Sequence, residues 1–466
     1  MSNKGRFVKN SLLFLLGSGL SKALGIIMLP LYTSHIPTED YGAYDISLTL
    51  ITIVSSVAFF ELWSAVLRFM YDFSEKDSKA SVVKSGGILF ICSTALFIVL
   101  GLGLCSVLGL GHPGWLLAYG VAMSASNYFC FVARGYDKNR EFTVSGILSS
   151  VVIAATNVFF ILYLGFDYSA LYISYVLGCV AQCVYLGYQI DFIKVLCLGE
   201  LERRLTRSLL TFAAPLCLNT ASYWILSSAS RLVFNWMCGD SASGVFSVGN
   251  KFGQVIVLAT TCFTYAWQDL SFSEGSKGAQ GGFYTRACKL YLLFLSAAFA
   301  MLLPAVRLAF PLFVKGSYGD AMDIVPLALV VALVSGYSGF VGNVFYAIKK
   351  TKTITVSTIA AGLVAVALSP AMISAFGANG VNLSVLIGFL VNLLIRAIVL
   401  KKEIGFSLSA PTFFLCCGWI VASCTAYFAG NIVSLVAFVT SIAISAFLFR
   451  NEIAVVAGKL LGRKLI

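Results

Sequence analysis

The chain has 466 residues, of which 59% are apolar and only 11% are charged, so it has too little polar surface for a water-soluble globule. This balance also excludes a disordered protein, a disulfide-stapled secreted domain and a coiled coil. The formal net charge is +12. In a membrane protein, such an excess first concerns orientation in the bilayer, and only in a soluble chain would it suggest nucleic acid.

Long apolar runs, separated by short polar breaks, predict about fourteen membrane-spanning helices. A helix needs roughly 20 apolar residues to cross the hydrocarbon core, and runs that are continuously apolar rather than alternating favour helices over a barrel. In chain order, the predicted spans are 8–33, 43–69, 82–110, 114–133, 142–164, 168–190, 208–236, 243–268, 287–314, 322–348, 353–376, 378–400, 409–429 and 431–449. Spans so closely spaced leave no room for a soluble catalytic domain.

Most of the 32 Lys and Arg residues cluster at one end of the spans. They precede span 1, follow every even-numbered span and fill the C-terminal tail, whereas the opposite loops carry acidic residues such as Glu39 and Asp167. The positive-inside rule therefore predicts that both termini lie in the cytoplasm of a multi-pass protein. The terms inner and outer follow this predicted orientation.

The sequence contains two weak internal repeats, which we call echoes, and each relates one span to the span six places later. Glu39-Asp40-Tyr41-Gly42-Ala43-Tyr44, where span 2 begins, is echoed by Ser241-Ala242-Ser243-Gly244-Val245-Phe246, where span 8 begins, and the ends of spans 4 and 10 also correspond. The pattern predicts two six-helix lobes of the same topological sense, as in transporters with parallel repeats, and two additional C-terminal helices. The predicted divisions are an N-terminal lobe at 1–190, a cytoplasmic linker at 191–207, a C-terminal lobe at 208–400, and spans 13 and 14 with the tail at 401–466.

Charged side chains inside the spans are costly and usually mark a pathway or a binding site. Four are basic: Lys22 near the middle of span 1, Arg231 and Lys251 in the outer parts of spans 7 and 8, and Arg307 near the outer end of span 9. Arg307 is placed to reach the outer headgroups, whereas Lys22 is too deep to do so easily. Arg231 and Lys251 fit either a headgroup contact or a cavity.

Two further charges lie on span 2. Arg68, at its inner end, fits either an interfacial anchor or a cavity-lining residue. Glu61 lies on nearly the same helical face and fits either an ion pair with Lys22 or a proton-titrating role.

A cavity lined by an excess of Lys and Arg is suited to an anion. Phosphate matches both groups, because Arg offers a bidentate fork and Lys a point charge, and the attraction is stronger where the dielectric is low. Polar and aromatic neighbours could stack on sugar rings or bond to them, although all are also ordinary membrane-helix residues: Asn219, Tyr223, Trp224, Asn250 and Tyr265.

Enzyme and cofactor motifs are missing from the sequence. It has two His residues, no metalloprotease or phosphate-loop motif, and no aspartate-rich motif for metal-bound diphosphates. The thirteen Cys lie almost entirely in apolar runs without metal-type spacing and are interpreted as packing residues. We therefore expect no enzymatic activity, no metal and no cofactor.

Short motifs recur in both halves of the chain. The first half has Gly17-Ser18-Gly19-Leu20-Ser21-Lys22, Pro30-Leu31-Tyr32-Thr33, Glu39-Asp40-Tyr41-Gly42-Ala43-Tyr44-Asp45 and Arg68-Phe69. The second half has Phe212-Ala213-Ala214-Pro215-Leu216, Ser230-Arg231-Leu232 and Gly244-Val245-Phe246-Ser247-Val248-Gly249-Asn250-Lys251. Over essentially the full chain, this pattern resembles the polysaccharide biosynthesis or O-antigen flippase family, within the multidrug/oligosaccharidyl-lipid/polysaccharide exporter superfamily.

The resemblance implies two lobes that alternate between inward-open and outward-open states. It implies transport of an undecaprenyl-diphosphate-linked oligosaccharide to the outer leaflet of the cell inner membrane, for O-antigen, lipopolysaccharide, capsule or another surface polysaccharide. Expected partners are membrane lipids, the polysaccharide polymerase and chain-length proteins, without nucleic acid. The family's cavity cations fall on spans 1, 2, 7 and 8, which here carry Lys22, Arg68, Arg231 and Lys251. By analogy Glu61 is the candidate for ion coupling.

Three other functions remain open at this point. A drug/cation antiporter of the same superfamily would require cavity carboxylates, and Glu61 alone among four embedded cations argues against it. A peptidoglycan lipid precursor flippase is a closer alternative than the antiporter, because its substrate is also an anionic lipid. A membrane glycosyltransferase or polymerase is disfavoured by the missing carboxylate motifs and the short outer loops.

Overall fold

The computed structural model describes residues 24–73, 76–260, 281–348, 350–407 and 410–450, together with Phe263 and Trp267. Every regular element in these residues is a helix, which confirms the predicted all-α class. Only intra-segment hydrogen bonds can satisfy the backbone of such apolar runs in lipid.

The helices are numbered in chain order within the described residues. The first eight are α1 (Leu29–His35), α2 (Thr38–Ala58), α3 (Leu62–Met70), α4 (Lys76–Leu108), α5 (Pro113–Gly135), α6 (Asn139–Val158), α7 (Ser169–Gln189) and α8 (Phe192–Leu198). The remaining seven are α9 (Arg203–Lys251), α10 (Gly281–Phe313), α11 (Val325–Ala347), α12 (Thr351–Phe376), α13 (Ala378–Ile404), α14 (Ala410–Ala429) and α15 (Asn431–Leu448). A short π-helical segment, Phe159–Tyr163, extends α6, and a 3₁₀ helix, Gly316–Asp323, precedes α11.

Eleven helices in the described part of the chain are long and apolar enough to cross a membrane. They correspond to predicted spans 2 to 6 and 9 to 14. Most of span 1 lies outside the described residues, and spans 7 and 8 fall on α9 and the residues after it. The total of fourteen spans therefore stays a prediction.

α9 is a helical hairpin rather than one long helix. Gly239 has φ 81° and ψ 179°, a conformation that glycine adopts readily because it has no Cβ. The guanidinium of Arg231 lies 5.7 Å from the centre of the Phe246 ring, whereas in a continuous helix these residues would be about 22 Å apart. The chain therefore reverses at Gly239, which matches the predicted break between spans 7 and 8.

Span 2 is interrupted, which its continuous hydrophobicity did not indicate. α2 ends at Ala58 and α3 begins at Leu62, while Phe60 and Glu61 both take left-handed backbone conformations. Such conformations are uncommon for residues with side chains and need support from the surrounding structure. The break places the carboxylate of Glu61 at the junction of two helices.

The hairpin of α9 joins the two halves of the molecule. It packs on α2 of the N-terminal half and on α12 and α13 of the C-terminal half. The last two helices, α14 and α15, both pack on α10. Their assignment as an addition to a C-terminal lobe stays a prediction.

The predicted linker at 191–207 is partly helical. It contains α8, and α9 begins inside it at Arg203. The Nζ of Lys84 donates to the carbonyl of Gly199 at 3.0 Å, and the backbone N–H of Glu200 donates to the Oγ of Ser81 at 2.9 Å. The linker is therefore fixed against the inner end of α4.

Candidate functional site

Arg231 and Lys251 lie on opposite arms of the α9 hairpin and come close together because the chain reverses between them. Nη1 of Arg231 lies 3.8 Å from Oδ2 of Asp45 on α2, and the two side chains are 26% and 14% exposed. The guanidinium also faces the ring of Phe246 at 5.7 Å, within the range of a cation–π contact. One ion pair thus links the two halves.

Lys251 belongs to the same charged group. It interacts electrostatically with Asp45, which attracts it, and with Arg231, which repels it. Its side chain is half-buried at the end of the second arm of α9. Tyr223, on the first arm of α9, is 49% exposed. The two cations and one carboxylate form a group that we call the charged triad: Asp45, Arg231 and Lys251.

The outer ends of α2 and α9 meet through two glycines. A Cβ added to Gly42 would lie 1.8 Å from the carbonyl oxygen of Asp240, and one added to Gly244 would lie 1.9 Å from the carbonyl oxygen of Thr38. Gly42 and Gly244 occupy equivalent positions in the internal echo. Thr38 and Asp240 are as far apart in sequence as Gly42 and Gly244, so they are equivalent positions too. The contact is therefore reciprocal, as expected at a pseudo-two-fold axis.

The contact at Gly42 and Gly244, which we call the closed outer contact, lies in the same interface between α2 and α9 as the charged triad. Thr38, Gly42 and Asp45 recur along α2 at helical spacing and lie on one face. Gly244 and Lys251 are likewise two turns apart on the second arm of α9. Separation of the outer ends would pull Asp45 away from the two cations.

The predicted polar and aromatic residues of the site have mixed positions. Asn250 donates through Nδ2 to the carbonyl of Phe246 at 3.0 Å, so that part of its amide is engaged by its own helix. Trp224 is half-buried on the first arm of α9, next to Tyr223. Tyr265 and the side chain of Asn219 lie outside the described residues.

Arg68 is placed apart from the triad. It pairs with Asp72 one turn further along the chain, and its side chain is 55% exposed at the inner end of α3. This position fits the interfacial anchor that the sequence left open. Lys22 falls outside the described residues.

Glu61 accepts a hydrogen bond from the Oγ of Ser64 at 3.2 Å. It also interacts electrostatically with Cys217 on the first arm of α9, and the thiol of Cys217 donates to the carbonyl of Ser56 at 3.4 Å. The carboxylate thus lies at the junction of the two halves, further inward than Asp45.

Sequence reasoning missed Asp45 because it was included only in a family motif. At the start of predicted span 2 it falls close to the acidic outer loop, where a carboxylate is ordinary, and only the structure places it two turns inside α2. It also missed an aromatic wall of four tyrosines beside Asp45. The Tyr119 and Tyr175 rings stack at 4.1 Å, and those of Tyr44 and Tyr172 lie 5.0 Å apart.

Similarities to known proteins cover both sequence and fold. A family described as polysaccharide biosynthesis protein matches residues 7–267. The lipid II flippase MurJ, in an inward closed conformation, is similar with 14% identity and a TM-score of 0.66, covering 95% of this chain and 100% of that one. No curated protein sequence matches the chain.

Two structures described as a multidrug resistance MATE family transporter of the MOP superfamily are also similar. The inward-facing conformation has 14% identity and a TM-score of 0.67, covering 84% of this chain and 94% of that one. The outward-facing conformation has 15% identity and a TM-score of 0.61, covering 85% and 95%. The fold is therefore shared with membrane transporters and a lipid flippase.

Proposed function

Because the chain belongs to the family of polysaccharide biosynthesis proteins, we propose that it is an alternating-access flippase for a polyprenyl-diphosphate-linked oligosaccharide. It moves the repeat unit from the cytoplasmic to the outer leaflet of the cell inner membrane. The repeat unit is then used for O-antigen, capsule or another surface polysaccharide, by the polymerase and chain-length proteins. Transport of this kind requires no catalytic residue in the chain itself.

The observation that carries this proposal is the pair of cations inside the bundle. Arg231 and Lys251 come together between the two halves. Burial of a cation inside a membrane bundle costs several kcal/mol unless it is paired, so cations that are kept there usually mark a binding site or a pathway. A diphosphate suits both, since a guanidinium binds phosphate oxygens in a fork and an ammonium adds a point charge. A cationic drug would be repelled by the same pair.

Each predicted site residue has a role in the proposal. Lys22, Arg231 and Lys251 bind the diphosphate, and Arg68 attracts it at the inner mouth. Asn219, Trp224 and Asn250 contact the sugars, together with Tyr223. Glu61 couples transport to an ion gradient. Its place at the junction of the two halves supports this role.

The closed outer contact supports alternating access. Gly42 and Gly244 bring the helix backbones together at the outer end, so the bound diphosphate would be cut off from the outer leaflet in this state. Release outward then requires these two helices to separate. Packed interfaces of this kind switch between discrete arrangements rather than deform continuously.

Deletion of the gene followed by lipid extraction tests the proposal. A flippase defect should leave the polyprenyl-linked repeat unit accumulated and facing the cytoplasm, with surface glycan lost. Loss of the repeat unit itself would indicate synthesis and overturn the proposal. Accumulation of the peptidoglycan precursor instead would assign the lipid II type of substrate and overturn the repeat unit as cargo.

A further inference from the structure

Asp45 stands out because it occupies the place where the proposed substrate would bind. Its carboxylate lies 3.8 Å from Nη1 of Arg231 and attracts Lys251. Asp45 belongs to the N-terminal half and both cations belong to the α9 hairpin. With Asp45 included, the charged triad has a net charge of +1. Without Asp45, the two cations have a charge of +2, which balances the one negative charge on each phosphate of a diphosphate diester.

We propose that Asp45 is a built-in competitor of the substrate, whose displacement from Arg231 and Lys251 by the diphosphate releases the outer contact between α2 and α9. The inference rests on the proposed function and adds to it the residue that couples binding to opening. While the site is empty, Asp45 partly neutralises the cations and holds the halves together at their outer ends. When the diphosphate arrives from the inner side, it replaces the carboxylate.

The geometry of the interface explains how this displacement reaches the outer end. Asp45 is on the same face of α2 as Gly42, one turn further inward, and Lys251 is on the same face as Gly244. Any loss of attraction at the triad therefore weakens the glycine contact directly. A ligand shifts a two-state equilibrium only by its difference in affinity for the two states, and competition with Asp45 supplies such a difference.

Asp40 provides a matched control on the same helix. Its electrostatic neighbours are Asp167, Glu39 and His112, and neither Arg231 nor Lys251 is among them. Substitution of Asp40 by Asn removes one carboxylate from α2 and leaves the triad intact. Substitution of Asp45 by Asn has the same size and charge effect, but it frees both cations.

The test measures binding of geranylgeranyl diphosphate to the full-length protein in lipid nanodiscs. We expect Asp45→Asn to bind roughly tenfold more tightly than the wild type, Asp40→Asn to bind equally, and Arg231→Ala to bind more weakly. Asp45→Glu keeps the charge and should bind like the wild type. A general folding defect would lower affinity, so a gain is specific to competition.

A second measurement follows the outer ends of the halves without a change at Asp45. Spin labels on Leu164→Cys and Phe376→Cys, placed in a variant without native cysteines, report the distance between exposed positions of the two halves. Geranylgeranyl diphosphate should increase this distance, whereas geranylgeraniol, which has no phosphate, should not.

The outcomes separate the inference from the proposed function. Unchanged or lower affinity in Asp45→Asn, with Arg231→Ala still weakened, would overturn the competitor role and leave the anion site in place. Equal affinity in the wild type and Arg231→Ala would overturn the anion site itself. An unchanged distance between the spin labels on addition of the diphosphate would also overturn the coupling.

Discussion

The side-chain hydroxyl groups of Thr38 and Ser241 lie 2.8 Å apart, where the outer ends of α2 and α9 meet. Either hydroxyl can donate to the other. The two residues are exposed and far apart in sequence, so this hydrogen bond joins the halves at the outermost level of their contact. It lies one turn outside the glycine pair and serves as a reporter of outer closure.

A disulfide between these positions should lock the outer end. In a variant without native cysteines, Thr38→Cys combined with Ser241→Cys should cross-link readily under mild oxidation, because hydroxyls in contact place the two Cβ atoms near disulfide distance. Transport, measured as surface glycan, should be lost in the oxidised protein and return on reduction.

The matched control moves one cysteine to the inner end of the same helix. Thr38→Cys with Ser208→Cys should not cross-link, since Ser208 lies near the start of the first arm of α9. Full transport by the cross-linked Thr38 and Ser241 pair would show that the outer ends need not separate, and alternating access through this contact would be wrong.

The glycine pair should tolerate no side chain. Gly42→Ala or Gly244→Ala places a methyl group within 2 Å of a backbone carbonyl, and backbone cannot move aside as a flexible side chain can. We expect each variant to fail to close at the outer end and to reduce surface glycan about tenfold or more, at normal protein level.

Gly103→Ala is the control for this prediction. Gly103 lies within α4, and a Cβ there would meet nothing within 4 Å. The same substitution should leave surface glycan unchanged. Normal glycan display in Gly42→Ala and Gly244→Ala would show that the tight contact has no part in transport.

Much of this fold follows from the sequence because lipid imposes one backbone solution on long apolar runs. The reversal near Gly239 follows from the polar residues between spans 7 and 8, and the equivalence of Gly42 and Gly244 follows from the internal echo. The direct contact between Gly42 and Gly244 does not follow from the sequence. A repeat shows which positions are equivalent, but it does not show where the symmetry axis between the two repeated units lies. The break at Phe60 and Glu61 depends on tertiary packing, which an apolar run does not encode.

The candidate site was predicted less completely than the fold. The inventory of charges inside the spans singled out Arg231 and Lys251, because a charge in lipid is conspicuous in any sequence. The structure brings these two cations together beside Asp45, and their role in binding stays a prediction. Asp45 was overlooked because it is close to an acidic loop, where a carboxylate is ordinary. Arg396 lies towards the inner end of predicted span 12, and in the structure it is only 5% exposed.

Loss of either cation of the triad should stop transport without loss of protein. We expect Lys251→Ala and Arg231→Ala each to abolish surface glycan, and Lys22→Ala to do the same if span 1 contributes to the cavity as predicted. Lys251→Arg keeps the charge and should retain part of the activity. Normal surface glycan in both Lys22→Ala and Lys251→Ala would show that transport does not depend on a cationic cavity.

Arg396 holds three helices of the C-terminal half together. Its Nη1 donates to the carbonyl of Ser338 on α11 at 2.6 Å, its Nε to the Oγ of Ser357 at 3.2 Å, and its Nη2 to the Oγ1 of Thr358 at 3.3 Å. Nη1 also donates to the Oγ of Ser338 at 3.1 Å, so every hydrogen bond that Arg396 makes within the described part of the chain goes to a neutral oxygen. A planar guanidinium can reach several acceptors at once, which an ammonium cannot.

Arg396→Ala should therefore lower the free energy of unfolding by about 2–4 kcal/mol, because it leaves buried acceptors unpaired and opens a cavity. Arg396→Lys should recover only part of this loss, whereas Lys402→Ala, at the exposed end of the same helix, should cost almost nothing. Thermal unfolding followed by tryptophan fluorescence measures the difference. If Arg396→Ala kept its stability but lost transport, the residue would belong with the cations that bind the diphosphate, and its structural role would be wrong.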